Sequence, residues 1–183
     1  MKHSLLAPFT ESLPVPLFLR TMLMPDDAIF PEHNHSWGEF VYCHNGVVQV
    51  MIEEKRYLVP PQYGLWLPPN KRHVGLNRRK VLQSSLYVTG VLCGTLPQET
   101  RALMVSPFMR SILDHARERS DNYKSERYLR LLTVFLDELA QAPQAGTYLP
   151  ASDDVALAKI LHCLENDPGG SRSISELAQY IGL

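Results

Sequence analysis

Cysteine, one-sided charge and long apolar runs are all scarce in this chain of 183 residues. The cysteines, Cys43, Cys93 and Cys163, are odd in number and widely spaced. That excludes a disulfide framework and fits a reducing compartment, with the thiols serving as small core residues. Lys and Arg total 18 against 19 Asp and Glu, a formal net charge of -1. No global charge therefore points to nucleic acid or to a membrane surface. The start, Met1 to Thr10, lacks the apolar stretch of a signal peptide. No window approaches the roughly 20 apolar residues of a membrane span. The expectation is a cytoplasmic protein without a membrane partner. What is present is ordinary for a globular chain: 45% hydrophobic and 20% charged residues, in a length that suffices for one domain and part of another.

The most informative stretch is His33-Asn34-His35-Ser36-Trp37-Gly38-Glu39, closed by Gly46. Side chains alternate faces along an extended strand. His33, His35 and Glu39 share parity, so all three can face the interior of a small barrel. Two imidazoles and a carboxylate are three of the four ligands that Zn²⁺ or a similar divalent ion takes. His73, in Pro68-Pro69-Asn70-Lys71-Arg72-His73-Val74-Gly75-Leu76-Asn77, is the candidate fourth. The two segments resemble the paired motifs of the cupin family. His33, His35, Glu39 and Gly46 fit the first motif; Pro68, His73 and Asn77 fit the second. Asn70 stands where the family has glycine, and asparagine also tolerates a left-handed turn. The resemblance implies a mainly β fold, a cupin-like double-stranded β-helix (jelly-roll) barrel followed by α-helices. Ligand type alone cannot choose the metal: Zn²⁺ is the first choice, with Ni²⁺, Mn²⁺ or Fe²⁺ as alternatives.

The rest of the chain agrees with a barrel that gives way to helices. Strands are expected over 17–24, around 29–44, over 47–52, 55–59, 63–67 and 73–77, and from 81 toward 92, separated by Pro, Gly and Asp turns. Asn45-Gly46 is a hairpin signal of the type I′ kind. From about Pro97 the period becomes helical. Ser106-Pro107 reads as a cap with proline at the first helical position, followed by Phe108, Ile112, Leu113 and Ala116 at helical spacing. A longer helix is expected over 124–141, with Tyr128, Leu131, Leu132, Phe135, Leu136 and Leu139 apolar. Residues 143–150 read as linker. Ser152 or Asp153 can cap a further helix, ended by Asp167-Pro168-Gly169-Gly170. Ser173-Ile174-Ser175-Glu176 is a capping box, opening a helix that buries Ile174, Leu177, Ala178 and Ile181 and stops at Gly182.

Cupin motifs, then a helical pair, a linker and Ser173 to Leu183 together resemble the AraC/XylS class of bacterial transcription regulators. The resemblance implies residues 1–95 as the cupin effector- and metal-binding domain and 96–142 as a helical dimerisation segment. Residues 143–151 would be the linker, and 152–183 the first helices of an incomplete helix-turn-helix domain. The recognition helix would follow Leu183, so the sequence is expected to be a fragment without DNA-binding residues of its own. The implied partners are a small-molecule effector, a second copy of the chain in a homodimer, and DNA through the full-length C-terminal domain.

A metal held by His33, His35, Glu39 and His73 with an open position would take a chelating or anionic effector in place of water. Trp37, Tyr42, Trp66 and Tyr87 are the aromatic candidates to line that pocket. Lys71, Arg72, Arg78, Arg79 and Lys80 form a basic cluster around His73, read as a solvated loop. The competing reading is a metal-dependent cupin enzyme of the dioxygenase or isomerase type. The sequence offers no further acid or base for such chemistry, and a terminal half-motif has no role in it, so the protein is read as no enzyme.

Overall fold

A computed structural model describes residues 3–9, 11–53, 55–145, 155–166 and 172–182. The chain divides into two compact units, the first running to Leu149 and the second from Pro150. In the first unit the strands are β1 (His3–Ser4), β2 (Leu17–Met24), β3 (Ala28–His33), β4 (Gly38–Cys43), β5 (Val48–Ile52), β6 (Lys55–Val59), β7 (Tyr63–Leu67), β8 (His73–Leu76), β9 (Val81–Val88) and β10 (Arg101–Met104). They form two five-stranded sheets, ordered β1-β3-β8-β5-β6 and β10-β7-β4-β9-β2. Every pairing is antiparallel except that of β1 with β3. This is the cupin-like barrel that the paired motifs imply, and the helices follow it.

Two cores result, one on each face of the second sheet. Inside the barrel, Met24, Val41, Cys43, Leu65, Leu67 and Val81 meet Ala28, Phe30, Val48, Val50, Ile52 and Val59 of the first sheet. On the outer face, Leu17, Leu19, Phe40, Tyr42, Trp66, Leu86 and Val88 are covered by α1 (Pro107–Arg117) and α2 (Glu126–Gln141). β4 is buried along its whole length because it is covered on both faces. Burial on two faces explains its run of bulky residues. Gly38 and Gly64 mark where a ring presses on the sheet: a Cβ on Gly38 would run into Trp66, and one on Gly64 into Phe40.

The helix caps follow the sequence. Ser106 accepts from the Met109 amide at 3.1 Å, and Pro107 opens α1. Ser125 caps α2 in the same way, accepting from the Tyr128 amide at 3.2 Å. Each cap satisfies one of the orphan amides of a first turn. α1 buries Met109, Ile112, Leu113 and Ala116. Phe108, expected on that stripe, is 54% exposed instead. One polar chain runs through the outer core. His44 meets Ser84 Oγ at 2.8 Å and Asp114 Oδ1 at 3.2 Å, and Ser84 meets Thr21 at 2.6 Å. With Ser84 buried, the group ties α1 to β2 and β9.

Three expectations fail locally. Asn45-Gly46 makes no hairpin. β4 and β5 lie in different sheets, Gly46 alone has the positive φ of 65°, and Asn45 Oδ1 accepts from Leu82 N at 2.7 Å. The turn therefore carries the chain across the barrel. The stretch after Pro97, expected to be helical, includes β10, which pairs with β7. Part of the expected linker, Pro143 to Ala145, is bound to β10 through Met104 N to Pro143 O and Ala145 N to Ala102 O.

The second unit holds α3 (Val155–Asn166) and α4 (Ile174–Ile181). The capping box is present: Ser173 Oγ accepts from Glu176 N, and Glu176 Oε2 accepts from Ser173 N at 2.7 Å. Gly182 closes α4 with φ 85°. Leu177 is buried, whereas Ile174, expected inside, is 87% exposed. The proposed cap at Ser152 or Asp153 and the turn at 167–170 lie outside the described residues.

Candidate metal and effector site

The two sheets bring the candidate ligands together from four places. His33 ends β3 and His73 begins β8, and the two are cross-strand partners with ring centroids 4.2 Å apart. Glu39 stands on β4 in the opposite sheet. His35 is on no strand; it sits in the segment between β3 and β4. Shared parity along one continuous strand is thus not why these groups meet. The register shifts between Phe30 and His33, the chain bends, and it then enters the other sheet. His35 O accepts from Asn70 N at 2.8 Å, which ties the two motif loops together. Asn70 has φ 65°, so asparagine meets the left-handed demand that glycine would otherwise meet.

Each imidazole is anchored by a backbone carbonyl. Nδ1 of His33 donates to Pro31 O at 2.8 Å, that of His35 to Trp37 O at 2.7 Å, and that of His73 to Lys71 O at 2.9 Å. A carbonyl cannot donate, so the proton sits on Nδ1 and the Nε2 lone pair is left free. One nitrogen from each ring lies within 4.8 Å of the other two. Glu39 Oε2 joins them, 3.2 Å from His35 Nε2 and 3.5 Å from His73 Nε2. Side-chain exposure is only 6%, 7% and 5% for His35, Glu39 and His73.

Neutral imidazoles aiming lone pairs at one another and at a carboxylate repel unless something positive lies among them. Protons can serve in part. Burial alone would raise the pKa of Glu39, but hydrogen bonds from His35 and His73 hold it far below the usual carboxylate range. Burial lowers His73, yet its bond to Glu39 outweighs that and leaves it raised. His33 is lowered, by burial first and by His73 next. A divalent cation satisfies the same donor set, and His₃Glu is a set of the kind transition metals take. The backbone-anchored Nδ1 atoms are the outer contacts that fix ligand rings.

The cavity above this cluster is narrow, with about 30 Å³ open to a water-sized sphere. Trp37 and Tyr87 line it, and Trp37 stacks on His35 with centroids 5.0 Å apart and planes 3° from parallel. Tyr42 and Trp66 do not. Both lie in the outer core, where Tyr42 donates to Pro61 O at 3.3 Å and Trp66 Nε1 to Pro97 O at 2.7 Å. Parity explains the correction. Counting from inward Glu39, Tyr42 falls on the outer face of β4, and Trp66 pairs with outward Phe40. Arg20, Gln83 and Ser85 line the cavity and went unnoticed in the sequence. Their signal was alternation on β2 and β9, where Arg20 pairs with Ser85 and Phe18 with Tyr87. In the basic cluster, Arg72, Arg79 and Lys80 are exposed, as a solvated loop requires. Asn77 is structural: its amide donates to Pro25 O and Arg79 O, both at 2.7 Å.

Residues 16–80, which hold the whole ligand set, match the family described as the AraC-like ligand binding domain. This part of the chain is similar to AraC-like ligand-binding domains. The chain is also similar to the HTH-type transcriptional regulator NimR of Escherichia coli (strain K12), with 26% identity over 159 residues. That alignment covers 86% of this chain and 58% of NimR, so the chain spans little more than half the length of that relative. Among solved structures, the AraC-like transcriptional activator CuxR aligns with a TM-score of 0.55 at 10% identity, covering 92% of this chain and 67% of CuxR. Apo ToxT K231A from Vibrio cholerae aligns with a TM-score of 0.54 at 8% identity, covering 94% and 72%. At such identities the likeness concerns the fold alone. No helix among the described residues is long and apolar enough to cross a membrane.

Proposed function

We propose that the chain is the sensing portion of a DNA-binding transcription regulator, and that its AraC-like domain binds a divalent metal ion and a small-molecule effector. The observation that carries the metal reading is the convergence of three carbonyl-anchored imidazoles on Glu39. His33, His35, Glu39 and His73 would hold the ion, and a metal with an open position supplies a Lewis-acid contact for an oxygen of the effector. Trp37 and Tyr87 are the aromatic walls of the effector site. The regulator reading draws on the NimR likeness and on the capped helix Ser173 to Gly182, which we assign as the opening of a helix-turn-helix. Base readout in that motif belongs to a second helix. The role is that of a cytoplasmic regulator rather than an enzyme. Elemental analysis of protein purified without chelator tests the metal reading: about one transition metal ion per chain is expected, and stoichiometric absence with folded protein sinks it.

Dimerisation through α2 belongs to the same proposal. Leu132, Phe135, Leu136 and Leu139 are buried against the sheet, and so is Tyr128. The outer face keeps Leu131, half-buried, and Val134, 43% exposed. They line a groove rimmed by His115, Arg119, Arg127 and Arg130. Leu131→Glu is expected to give a folded monomer by light scattering, because a charge in a closing apolar contact costs more than the contact returns. A dimer unchanged by this substitution would move the interface elsewhere.

A further inference from the structure

We propose that the effector is a small organic carboxylic acid whose carboxylate is gripped by Arg20; this rests on the reading of the barrel cavity as the effector site. Arg20 stands on β2 and lines the cavity from the wall formed with β9, where its cross-strand partner is Ser85. Its guanidinium lies over the Phe30 ring, 5.9 Å from the centroid, and beside the Tyr87 hydroxyl. Among the described residues no carboxylate pairs with it. Among the described residues Glu39 is the only carboxylate lining the cavity, and it is engaged by His35 and His73. A half-buried guanidinium facing a cavity without a counter-ion is a standing demand for an anion, and its planar fork matches a carboxylate in two parallel hydrogen bonds.

Two further atoms extend the demand. Trp37 and Gln83 both line the cavity and are 4% and 8% exposed. Trp37 Nε1, a donor, and Gln83 Oε1, an acceptor, are buried without a hydrogen-bond partner. Such orphans are costly unless a ligand or water meets them. The remaining walls are Met22, Phe30, Val41 and Val48, which suit an apolar body rather than a phosphate or a sugar. One guanidinium, rather than a ring of cations or amides, also fits a singly charged planar head.

The test uses benzoate, phenylacetate and butyrate, each set against its neutral amide, with inorganic phosphate as a further arm. Binding is read by tryptophan fluorescence and by thermal shift on the whole 183-residue protein, and metal content is measured in the same samples. The acids are expected to bind at least about tenfold more tightly than their amides, since the charged pair is lost in the amide. Arg20→Gln should erase that preference at unchanged metal content, and Arg20→Lys should keep part of it. Acids and amides binding alike would overturn the carboxylate proposal while leaving the cavity as a site. So would no binding by any acid, tighter binding of phosphate, or an acid preference that survives Arg20→Gln. Loss of the metal would register separately, in the elemental analysis.

Discussion

His73→Ala is expected to empty the proposed metal centre, with content falling to a small fraction of the one ion per chain proposed for the unsubstituted protein. The remaining donors would be two imidazoles and Glu39, and Glu39 Oε2 would keep only one of its two histidine neighbours. Removing a mere outer-shell contact typically costs about 10–100-fold in affinity, so deleting a ligand should cost more than that. The loss carries a stability signature. A metal that binds only the folded chain stabilises it by about 2.7 kcal/mol when present at 100 times its dissociation constant. Zinc should therefore raise the melting temperature of the unsubstituted protein and leave His73→Ala unmoved. His44→Ala is the control, because His44 faces Ser84 and Asp114 in the outer core and no ligand. Acid should mimic the substitution. Metal needs the free Nε2 lone pairs, so protons compete with it and metal content should fall as the pH is lowered. Full metal content in His73→Ala would remove the cluster from the role assigned to it.

The cluster was legible because it is written in local spacing. His33, His35 and Glu39 lie within seven residues, and the second motif supplied His73 from a different strand. Its geometry was not legible. Shared parity presumes one extended segment over 33–39, whereas the chain leaves β3 after His33, bends at Ser36-Trp37 and changes sheets before Glu39. Local turn chemistry failed for the same reason at Asn45-Gly46. A glycine with positive φ specifies a turn but not the strand that pairs after it, and here β5 pairs with β6 and β8. Strand extents were better served: β2, β6 and β7 fall where short apolar runs end at Pro, Asp or Glu. Caps at Ser106 and Ser173 were readable because they depend on a few adjacent residues.

Arg20 shows the limit from the other side. Between Leu19 and Thr21 it reads as an ordinary charged residue on the solvent face of a strand. Only the pairing of β2 with β9, which sets Arg20 opposite Ser85 and Phe18 opposite Tyr87, turns that face into a cavity wall. Sheet pairing between segments about 60 residues apart is a non-local fact, decided by which faces can be buried together. The sheet has two apolar faces here, so hydrophobicity alone could not say which one looked into the barrel.

Trp66 is where that ambiguity has the largest consequence for stability. Taken from the sequence as an effector contact, it is fully buried between the second sheet and the helices. Trp66→Ala should cost about 3–5 kcal/mol, the range for deleting a large aromatic from a core. That is a large share of the roughly 5–15 kcal/mol by which a domain is stable. At about 2–4 °C per kcal/mol for a chain of this size, the melting temperature should fall by about 6–20 °C. Cavity and hydrogen bond can be separated. Trp66→Phe keeps a ring against Gly38 but removes the Nε1 donor, leaving the Pro97 carbonyl without its 2.7 Å partner. An unpaired buried acceptor costs about 1–3 kcal/mol, so the phenylalanine variant should fall between wild type and alanine. If the sheet face is assigned correctly, the effector's affinity for the folded Trp66→Phe protein stays near that of wild type, while Trp37→Phe weakens it with a smaller loss of stability. The reverse pattern, a stable Trp66→Ala protein that no longer responds to effector, would mean that the second sheet presents its other face to the ligand.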